Sequence, residues 1–256
     1  MPESIEVEKQ DFPQAVIITA IQIEFNSVCE HLYDSEEIIG PKGTVYEQGY
    51  FDGGEAIWKV GVAQVGAGNV QCCIETERAI DFFKPRFVIF VGIAGGFKDD
   101  ITFGDVVVAE RAYHYEFGKI EDGKMLTRPE SGKSSYIMLQ RAMAVARKEE
   151  WKVRIIKKED ENNPKAIIKP IAAGEKVIAD SRSEIAEMLR EHYNDAAAIE
   201  MEGYGFYKAI EDNEGVLGLI VRGISDMLDN KEDRFQELAC KNASAFAFEV
   251  LSKLKI

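Results

Sequence analysis

Residues 87–91, FVIFV, give the strongest signal of a fully buried β-strand in the chain. Residues 15–20 and 217–221 are continuous apolar runs of the same kind. Strands that are apolar at every position are buried on both faces, as in parallel sheets that are covered by helices. Amphipathic helical patterns lie between these strands, for example after Gly68. The chain of 256 residues is therefore predicted to be an α/β protein with a large packed core.

Charged and hydroxyl side chains stand at the ends of two predicted strands. The two segments are 197–205, AAIEMEGYG, and 221–226, VRGISD. Their polar residues are Glu200, Glu202, Arg222, Ser225 and Asp226. Because open α/β sheets bind ligands in the crevice at the carboxyl ends of their strands, these residues predict an active site.

Glycines also follow two strands. Residues 92–96, GIAGG, either bring main-chain N–H groups to an anion or a sugar, or form a turn with unusual backbone angles. Gly66 and Gly68 indicate a tight turn from a strand into a helix. The third glycine of a dinucleotide fingerprint is absent, so no nucleotide cofactor is expected.

Glu24 falls in the first turn of a predicted helix that follows the first strand. An acid at this position either takes part in the site or only complements the positive end of the helix, which contributes up to about 1 kcal/mol. The residues around Glu24, taken alone, favour the second interpretation.

The remaining segments predict one domain over residues 13–256, after a polar tail over residues 1–12. Residues 44–50 and 56–65 flank the turn FDGGE and predict a hairpin, which makes the sheet mixed. Residues 118–135 predict an exposed loop or a lid over the site. The other predicted elements are strands at 104–109 and 166–173, a charged turn at 157–165, and helices at 135–151, 181–192 (capped by Ser181) and 234–254.

The composition disfavours several classes of function. The formal charge is −14 and the basic residues are scattered among acids, which argues against nucleic acid as a partner. His31, His114 and His192 are isolated and the four cysteines form no CxxC pair, so neither a metal site nor a disulfide is expected. The polar N-terminus and the short apolar runs predict a cytoplasmic protein that does not enter a membrane.

Six motifs occur in the order found in nucleoside phosphorylases and nucleosidases. They are AIQIE (20–24), GAGNV (66–70), GIAGG (92–96), FGDVVVA (103–109), AIEMEG (198–203) and VRGISD (221–226). The chain from residue 15 to residue 253 resembles this superfamily, and within it the methylthioadenosine/S-adenosylhomocysteine nucleosidases. The resemblance implies a single-domain α/β/α sandwich with a mixed, twisted central sheet, and a small-molecule substrate in which ribose is attached to a base.

The resemblance also implies how the bond between ribose and base is broken. Asp226 donates a proton to the purine ring nitrogen, and Ser225 helps to orient it. Glu202 grips the 2′ and 3′ hydroxyls, with Met201 packed under the ribose. A purine nucleoside, such as methylthioadenosine, S-adenosylhomocysteine or a related adenosine, is therefore the expected substrate.

The nucleophile is predicted to be water. By resemblance, Glu24 activates the attacking water, and Arg222 positions both. Phosphorylases of the superfamily usually open strand one with a Gly-Asp-Pro turn and a phosphate-binding Arg, where this chain has AIQIE and its acid. Ile93 stands where a Ser or Thr hydroxyl is common. Both departures favour hydrolysis. A carboxylate repels phosphate, and Ile93 lacks the hydroxyl that could bind phosphate.

The remaining substrate contacts come from the same resemblance. Val177 stands where the nucleosidases have an aromatic residue that stacks on adenine, and main-chain groups of Ile178 read a purine edge. The other residues expected to line the substrate site are Glu200, Gly92, Ile93, Ala94 and Gly95.

Three alternatives stay open from the sequence. They are a phosphate-dependent purine nucleoside phosphorylase, a nucleosidase that acts on AMP or ATP, and a non-catalytic nucleoside-binding relative. The retained acids Glu24, Glu202 and Asp226 argue against the non-catalytic relative. The superfamily generally forms dimers or larger rings, so at least a homodimer is expected.

Overall fold

The computed structural model describes residues 14–156, 163–228 and 233–255. This part of the chain contains twelve strands and six α-helices. The strands are β1 (Gln14–Thr19), β2 (Tyr33–Ile39), β3 (Val45–Asp52), β4 (Ile57–Gln64), β5 (Phe87–Gly96), β6 (Val106–His114), β7 (Gly118–Glu121), β8 (Lys124–Thr127), β9 (Ser131–Lys133), β10 (Ala166–Ala173), β11 (Ala198–Glu200) and β12 (Leu217–Met227). The helices are α1 (Gln22–Cys29), α2 (Asn69–Phe83), α3 (Tyr136–Lys148), α4 (Glu184–His192), α5 (Gly203–Asp212) and α6 (Gln236–Ser252). Two 3₁₀ helices cover Glu150–Arg154 and Asp233–Phe235.

Most strands belong to one mixed sheet with the order β11-β10-β6-β12-β5-β1-β4-β3-β2, and β9 pairs with β6. The central strands β1, β5 and β12 run parallel to one another, whereas β6 is antiparallel to β12. β11 pairs with both β10 and β5, so the strands from β5 to β11 close into a ring. The carboxyl ends of the three central strands therefore meet at one edge, which β11 also reaches.

Helices cover both faces of the sheet. Alternate residues of β1 point to opposite sides, as a strand requires: Ala15 and Ile17 pack with residues of α1, α3 and α6, and Val16 and Ile18 pack with residues of α2 and α5. This arrangement confirms the predicted α/β/α sandwich with a mixed sheet. In the described residues, no helix is long and apolar enough to cross a membrane.

Helices α2 and α5 meet at a close backbone contact beside the edge where the strands end. A Cβ atom on Gly205 would lie 1.9 Å from the Asn69 carbonyl oxygen, so only glycine allows this approach. The N–H group of Gly205 donates to Asn69 Oδ1 at 2.9 Å. Asn69 thereby fixes the starts of both helices next to the carboxyl ends of the strands.

Several local predictions differ from the structure. The pattern does not predict β2, because this edge strand is exposed along most of its length and lacks an apolar face. The segment 118–135 contains the hairpin β7–β8 and strand β9, where a loop or lid is predicted. Helix α4 is capped by Ser183, whose Oγ accepts a hydrogen bond from the Ala186 N–H at 3.2 Å, and not by Ser181. The predicted tail over residues 1–12 and most of the predicted turn at 157–165 lie outside the described residues.

Candidate active site

A cavity of about 300 Å³ opens at the edge where the central strands end. It is bordered by the last residues of β5 and β12, by the segments that follow β1, β4 and β10, and by β11 with the start of α5. Its lining residues are Ala20, Ile21, Glu24, Ala67, Ile93, Ala94, Gly95, Lys176, Val177, Ile178, Ile199, Glu200, Met201, Glu202, Ser225, Asp226 and Leu228. All the predicted site residues except Gly92 and Arg222 belong to this set. None of the lining residues comes from segment 118–135, so this segment does not border the cavity.

Glu24 is buried at the floor of the cavity, where main-chain N–H groups hold its carboxylate. Oε2 accepts hydrogen bonds from the N–H groups of Ala20 at 2.6 Å and Ile21 at 3.1 Å, and Oε1 accepts one from Ile93 at 2.8 Å. Burial raises the pKa of this carboxyl, while Arg222 and the three N–H groups oppose the rise. Glu24 therefore both caps α1 and ties the end of β1 to the end of β5.

Gly92 lies behind the cavity. The Glu24 carboxylate and the Arg222 guanidinium occupy the space that a side chain at this position would fill. A Cβ atom at this position would lie 2.1 Å from Arg222 Nη1 and 2.5 Å from Glu24 Oε1. Any other residue would push these two charged groups away. Residues 92–96 lie within β5 and none of their glycines has a positive φ, so the predicted turn with unusual backbone angles is wrong. The Ile93 N–H donates to an anion of the protein itself, the Glu24 carboxylate.

Arg222 is completely buried below the cavity. Its Nη2 donates to Glu200 Oε2, and to Glu202 Oε2 at 3.3 Å. Its guanidinium carbon lies 3.9 Å from the centre of the Phe90 ring, a contact that stabilises a desolvated cation. Burial alone would lower the pKa of Arg222, but the carboxylates of Glu200, Glu202 and Glu24 raise it by more. The net pKa is raised, so the side chain stays charged.

Glu202 is buried at the start of α5 and faces both Arg222 and the α2 turn. Oε1 accepts a hydrogen bond from the N–H group of Gly68 at 3.2 Å. Burial and the nearby Glu200 carboxylate raise the pKa of Glu202 to about 7, against the attraction of Arg222. Glu202 is therefore a carboxyl group that changes its charge near neutral pH.

Ser225 and Asp226 reach the cavity through an irregularity in β12. The pairing register with β5 shifts between Ile224 and Asp226, so Ser225 is the extra residue of a β-bulge. Bulges of this kind re-aim side chains beside functional sites. Ser225 Oγ donates to Asp226 Oδ2 at 2.8 Å. In the part of the chain that the structure describes, Arg222 forms its ion pairs with Glu200 and Glu202 rather than with Asp226.

The segment after β10 forms the outer wall of the cavity. The Gly174 N–H donates to the Glu200 carbonyl oxygen at 3.1 Å, and Asn69 Nδ2 donates to the Gly174 carbonyl oxygen at 3.0 Å. Val177 is 65% exposed at the mouth, and the neighbouring Lys176 pairs with Glu116. The backbone of this segment is thus hydrogen-bonded to α2 and β11, while the apolar side chain of Val177 is exposed at the entrance.

Residues 14–254 match the family described as the phosphorylase superfamily. The chain belongs to this superfamily. The predicted family and the predicted fold are both confirmed by this match and by a solved structure of the same fold.

Two relatives and one solved structure illustrate the similarity. The ATP nucleosidase Cap17 of Escherichia coli (strain KTE188) is 31% identical over 206 residues, which cover 72% of this chain and 39% of that protein. The match therefore spans well under half of that relative. The 5′-methylthioadenosine/S-adenosylhomocysteine nucleosidase of Geobacillus kaustophilus (strain HTA426) is 25% identical over 251 residues, 94% of this chain and 98% of that protein. The crystal structure of the Colwellia psychrerythraea 34H nucleosidase of the same name, in complex with adenine, has a TM-score of 0.78 and 24% identity over 95% of this chain and 96% of that one.

Six lining residues of this phosphorylase-superfamily chain are not among the residues predicted from the sequence. They are Ala20, Ile21, Ala67, Lys176, Ile199 and Leu228. Four of them lie within one of the six motifs, and Lys176 precedes the predicted residue Val177, so position next to predicted residues is a usable signal. Leu228 is different, because it reaches the cavity from beyond the bulge in β12. Among the described residues, no group of His, Cys, Asp and Glu side chains has the geometry of a metal site.

The raised pKa of Glu202 predicts that Glu202→Gln stabilises the protein above neutral pH. In the wild type, the folded state resists ionisation of this carboxyl between 4.5, the ordinary pKa of a glutamic acid, and about 7. The free energy of unfolding therefore falls as pH rises through that window. Thermal unfolding at about pH 5 and about pH 8 measures the difference, with Glu211→Gln, an exposed acid on the same helix, as control. A gain in melting temperature that grows with pH is expected; a loss at the higher pH would contradict the assignment.

Proposed function

We propose that this chain is a purine nucleosidase that hydrolyses the N-ribosidic bond of methylthioadenosine, S-adenosylhomocysteine or a related adenosine to the free base and the ribose moiety. The observation that carries the proposal is the Glu24 carboxylate, held by three N–H groups in the same cavity as Glu202 and Asp226. The relatives reported above are named as nucleosidases, which supports an N-glycosyl hydrolase.

Each acid of the cavity suits one step of the reaction. Breaking the bond develops positive charge on the ribose and negative charge on the leaving purine. Asp226, oriented by Ser225, gives its proton to a purine ring nitrogen as the bond breaks. Ionised Glu202 accepts hydrogen bonds from the ribose hydroxyls above Met201, and its charge favours the cationic sugar.

Water then attacks the anomeric carbon, and Glu24 takes its proton. A general base works best when its pKa lies near the operating pH, and burial raises the pKa of Glu24 in that direction. The new bond joins the water oxygen to the sugar, so the sugar leaves with a free anomeric hydroxyl. Arg222 stays charged behind Gly92 and limits the repulsion among the acids.

The contacts of Glu24 favour water over phosphate as the nucleophile. A phosphate dianion at the floor of the cavity would face a carboxylate there. The N–H group of Ile93, a donor that an anion would need, already binds Glu24. Phosphorolysis is therefore the weaker alternative.

A nucleotide-level nucleosidase is the second candidate function. Two observations favour it: the identity of 31% to the ATP nucleosidase Cap17, and the presence of Lys176 among the lining residues, where a cation suits a phosphate group. Its pairing with Glu116 reduces the charge available for that contact.

Chromatography of the free base separates these functions. The protein is incubated with adenosine, methylthioadenosine, S-adenosylhomocysteine, AMP and ATP, each with and without phosphate. We expect equal release of adenine from a nucleoside in both conditions. An absolute phosphate requirement with a sugar 1-phosphate product would mean a phosphorylase, and release from nucleotides alone would select the second candidate.

Glu24→Gln should retain nucleoside binding and lose roughly 10²-fold or more in kcat, as expected when a general base is removed. The amide cannot take the proton of the attacking water. Glu30→Gln, an exposed acid at the other end of α1, serves as the control and should keep full activity. Near-normal turnover in Glu24→Gln would leave Glu24 as a helix-capping residue only.

Asp226→Asn should nearly abolish release of adenine. The same variant should act far better on a riboside with a nitrophenolate leaving group, which departs without protonation. The ratio of kcat/KM values on the two substrates is the measurement. An equal loss on both would assign Asp226 to binding or structure.

We also propose that the protein assembles at least as a homodimer. Val70 and Ile74 are 70% and 43% exposed, one turn apart on α2 and next to the cavity residue Ala67. Such an apolar face is suited to contact a second subunit. Light scattering should give at least twice the chain mass, and a mass near 28.7 kDa would contradict the proposal.

A further inference from the structure

Both carboxylate oxygens of Glu200 are occupied by protein donors, although the residue lines the cavity. Oε2 accepts from Arg222 Nη2, from the Glu202 N–H at 3.0 Å and from the Gly203 N–H at 2.9 Å. Oε1 also lies 2.9 Å from the Gly203 nitrogen. The side chain is 6% exposed, so it has little capacity left for a substrate.

These bonds connect Glu200 to the two groups that define the floor of the cavity. One group is Arg222, which is drawn toward β11 by the ion pair. The other is the start of α5, where the N-cap residue Glu202 and the first helical residue Gly203 each donate a buried N–H to the Glu200 carboxylate. The carboxylate thus satisfies N–H groups that have no partner within the helix.

Arg222 has donors that its ion pairs do not use. Among the described residues, its Nε and Nη1 have no hydrogen-bond partner. Nη1 and Glu24 Oε1 flank the same face of Gly92. The pair with Glu200 thus turns one side of the guanidinium toward β11 and leaves another side near the carboxylate proposed to activate water.

The buried charges around Arg222 do not balance. Glu24 from α1, Glu200 from β11 and Glu202 from α5 are all nearly inaccessible, and they face one guanidinium from β12. On α2, Cys72 interacts with Glu202 and Arg222, and burial raises its pKa well above the usual range, so it stays neutral. Excess buried negative charge favours a bound proton. Burial raises the pKa of both Glu24 and Glu202, and the charge of Glu200 raises that of Glu202 further.

We propose that Glu200 is a positioning residue: it orients Arg222 and the Glu202 turn without touching substrate, and it places a negative charge beside the carboxylate proposed to hold the ribose. This inference rests on the proposed function. It assigns to Glu200 a role in activity that acts through Arg222 and Glu202. It also makes nucleoside binding weaken as pH falls through the range in which Glu202 takes up its proton.

Glu200→Gln tests the role of the charge. The amide oxygen can keep the bonds at the Oε2 position, while the negative charge disappears. Removing a like charge beside Glu202 lowers the pKa of Glu202, and Arg222 becomes more available to it. The acid limb of the pH profile of kcat/KM should move down by roughly one pH unit. Glu249→Gln is the matched control, since Glu249 is also buried and paired with an arginine, Arg154, but lies outside the cavity.

Glu200→Ala tests the role of the contacts. Loss of all four contacts frees Arg222 and the first turn of α5, and a displacement of about 1 Å at a catalytic group costs on the order of 10²-fold in rate. We expect kcat to fall by about that factor. Glu200→Ala also leaves Arg222 with one fewer partner, so if this variant is unstable, the Gln variant decides the question.

Binding of an adenosine C-nucleoside, whose carbon–carbon glycosidic bond cannot be hydrolysed, gives a readout that does not depend on turnover. Calorimetry should find weaker binding to the wild type as pH falls below about 7, with the same midpoint shift in Glu200→Gln. Identical pH profiles of binding and of kcat/KM in the wild type and Glu200→Gln would overturn the inference. A wild type that binds the C-nucleoside with this pH dependence but releases no base would contradict only the proposed reaction. A wild type that neither binds nor cleaves would overturn both.

Discussion

The ion pairs of the buried Arg222 are the interactions on which the rest of the site depends. Removing a cation and its carboxylate partners from water costs several kcal/mol per ion, and the cost is met only when geometry and hydrogen bonding are good. Here Glu200, Glu202 and the ring of Phe90 surround the guanidinium. Without this cation, the acids of the cavity would repel one another in a poorly hydrated space. Its presence allows an acidic site to be assembled inside an acidic protein.

The fold supplies this arrangement through three parallel strands and one bulge. β1, β5 and β12 end at the same edge, so groups far apart in sequence meet there. The Glu24 carboxylate links the end of β1 to β5 through the Ile93 N–H. Only a glycine at position 92 leaves room for the Arg222 guanidinium. The bulge at Ser225 then turns Asp226 toward the cavity. The cavity thus holds both carboxyl groups proposed as base and acid, Glu24 and Asp226, as cleavage of a bond between sugar and base requires.

The fold class and most of the candidate site follow from the sequence, because buried strands and the acids after them leave local patterns. Contacts between residues that are distant in the sequence cannot be predicted from such local patterns. The residues around Glu24 predict only a helix cap, because its third hydrogen-bond donor, the Ile93 N–H, lies 69 residues away in the sequence. Likewise, Arg222 pairs with acids from β11 and the start of α5, about twenty residues earlier in the sequence, and not with Asp226, four positions on. The register shift at Ser225 and the anchoring of the wall by Asn69 also depend on tertiary packing.

The most direct test of this account is the titration of the buried glutamates in the substrate-free protein. Carbon-13 NMR of labelled glutamate carboxyls follows each group across pH, and Glu202→Gln assigns the resonance of Glu202. We predict a midpoint of about 7 for Glu202, because burial and Glu200 resist its charge while Arg222 stays protonated throughout. A midpoint near the ~4.3 of a free glutamate would contradict the account. Glu202 would then ionise as easily as an exposed glutamate, without the effect of burial and of the neighbouring Glu200 charge on which the proposed site rests.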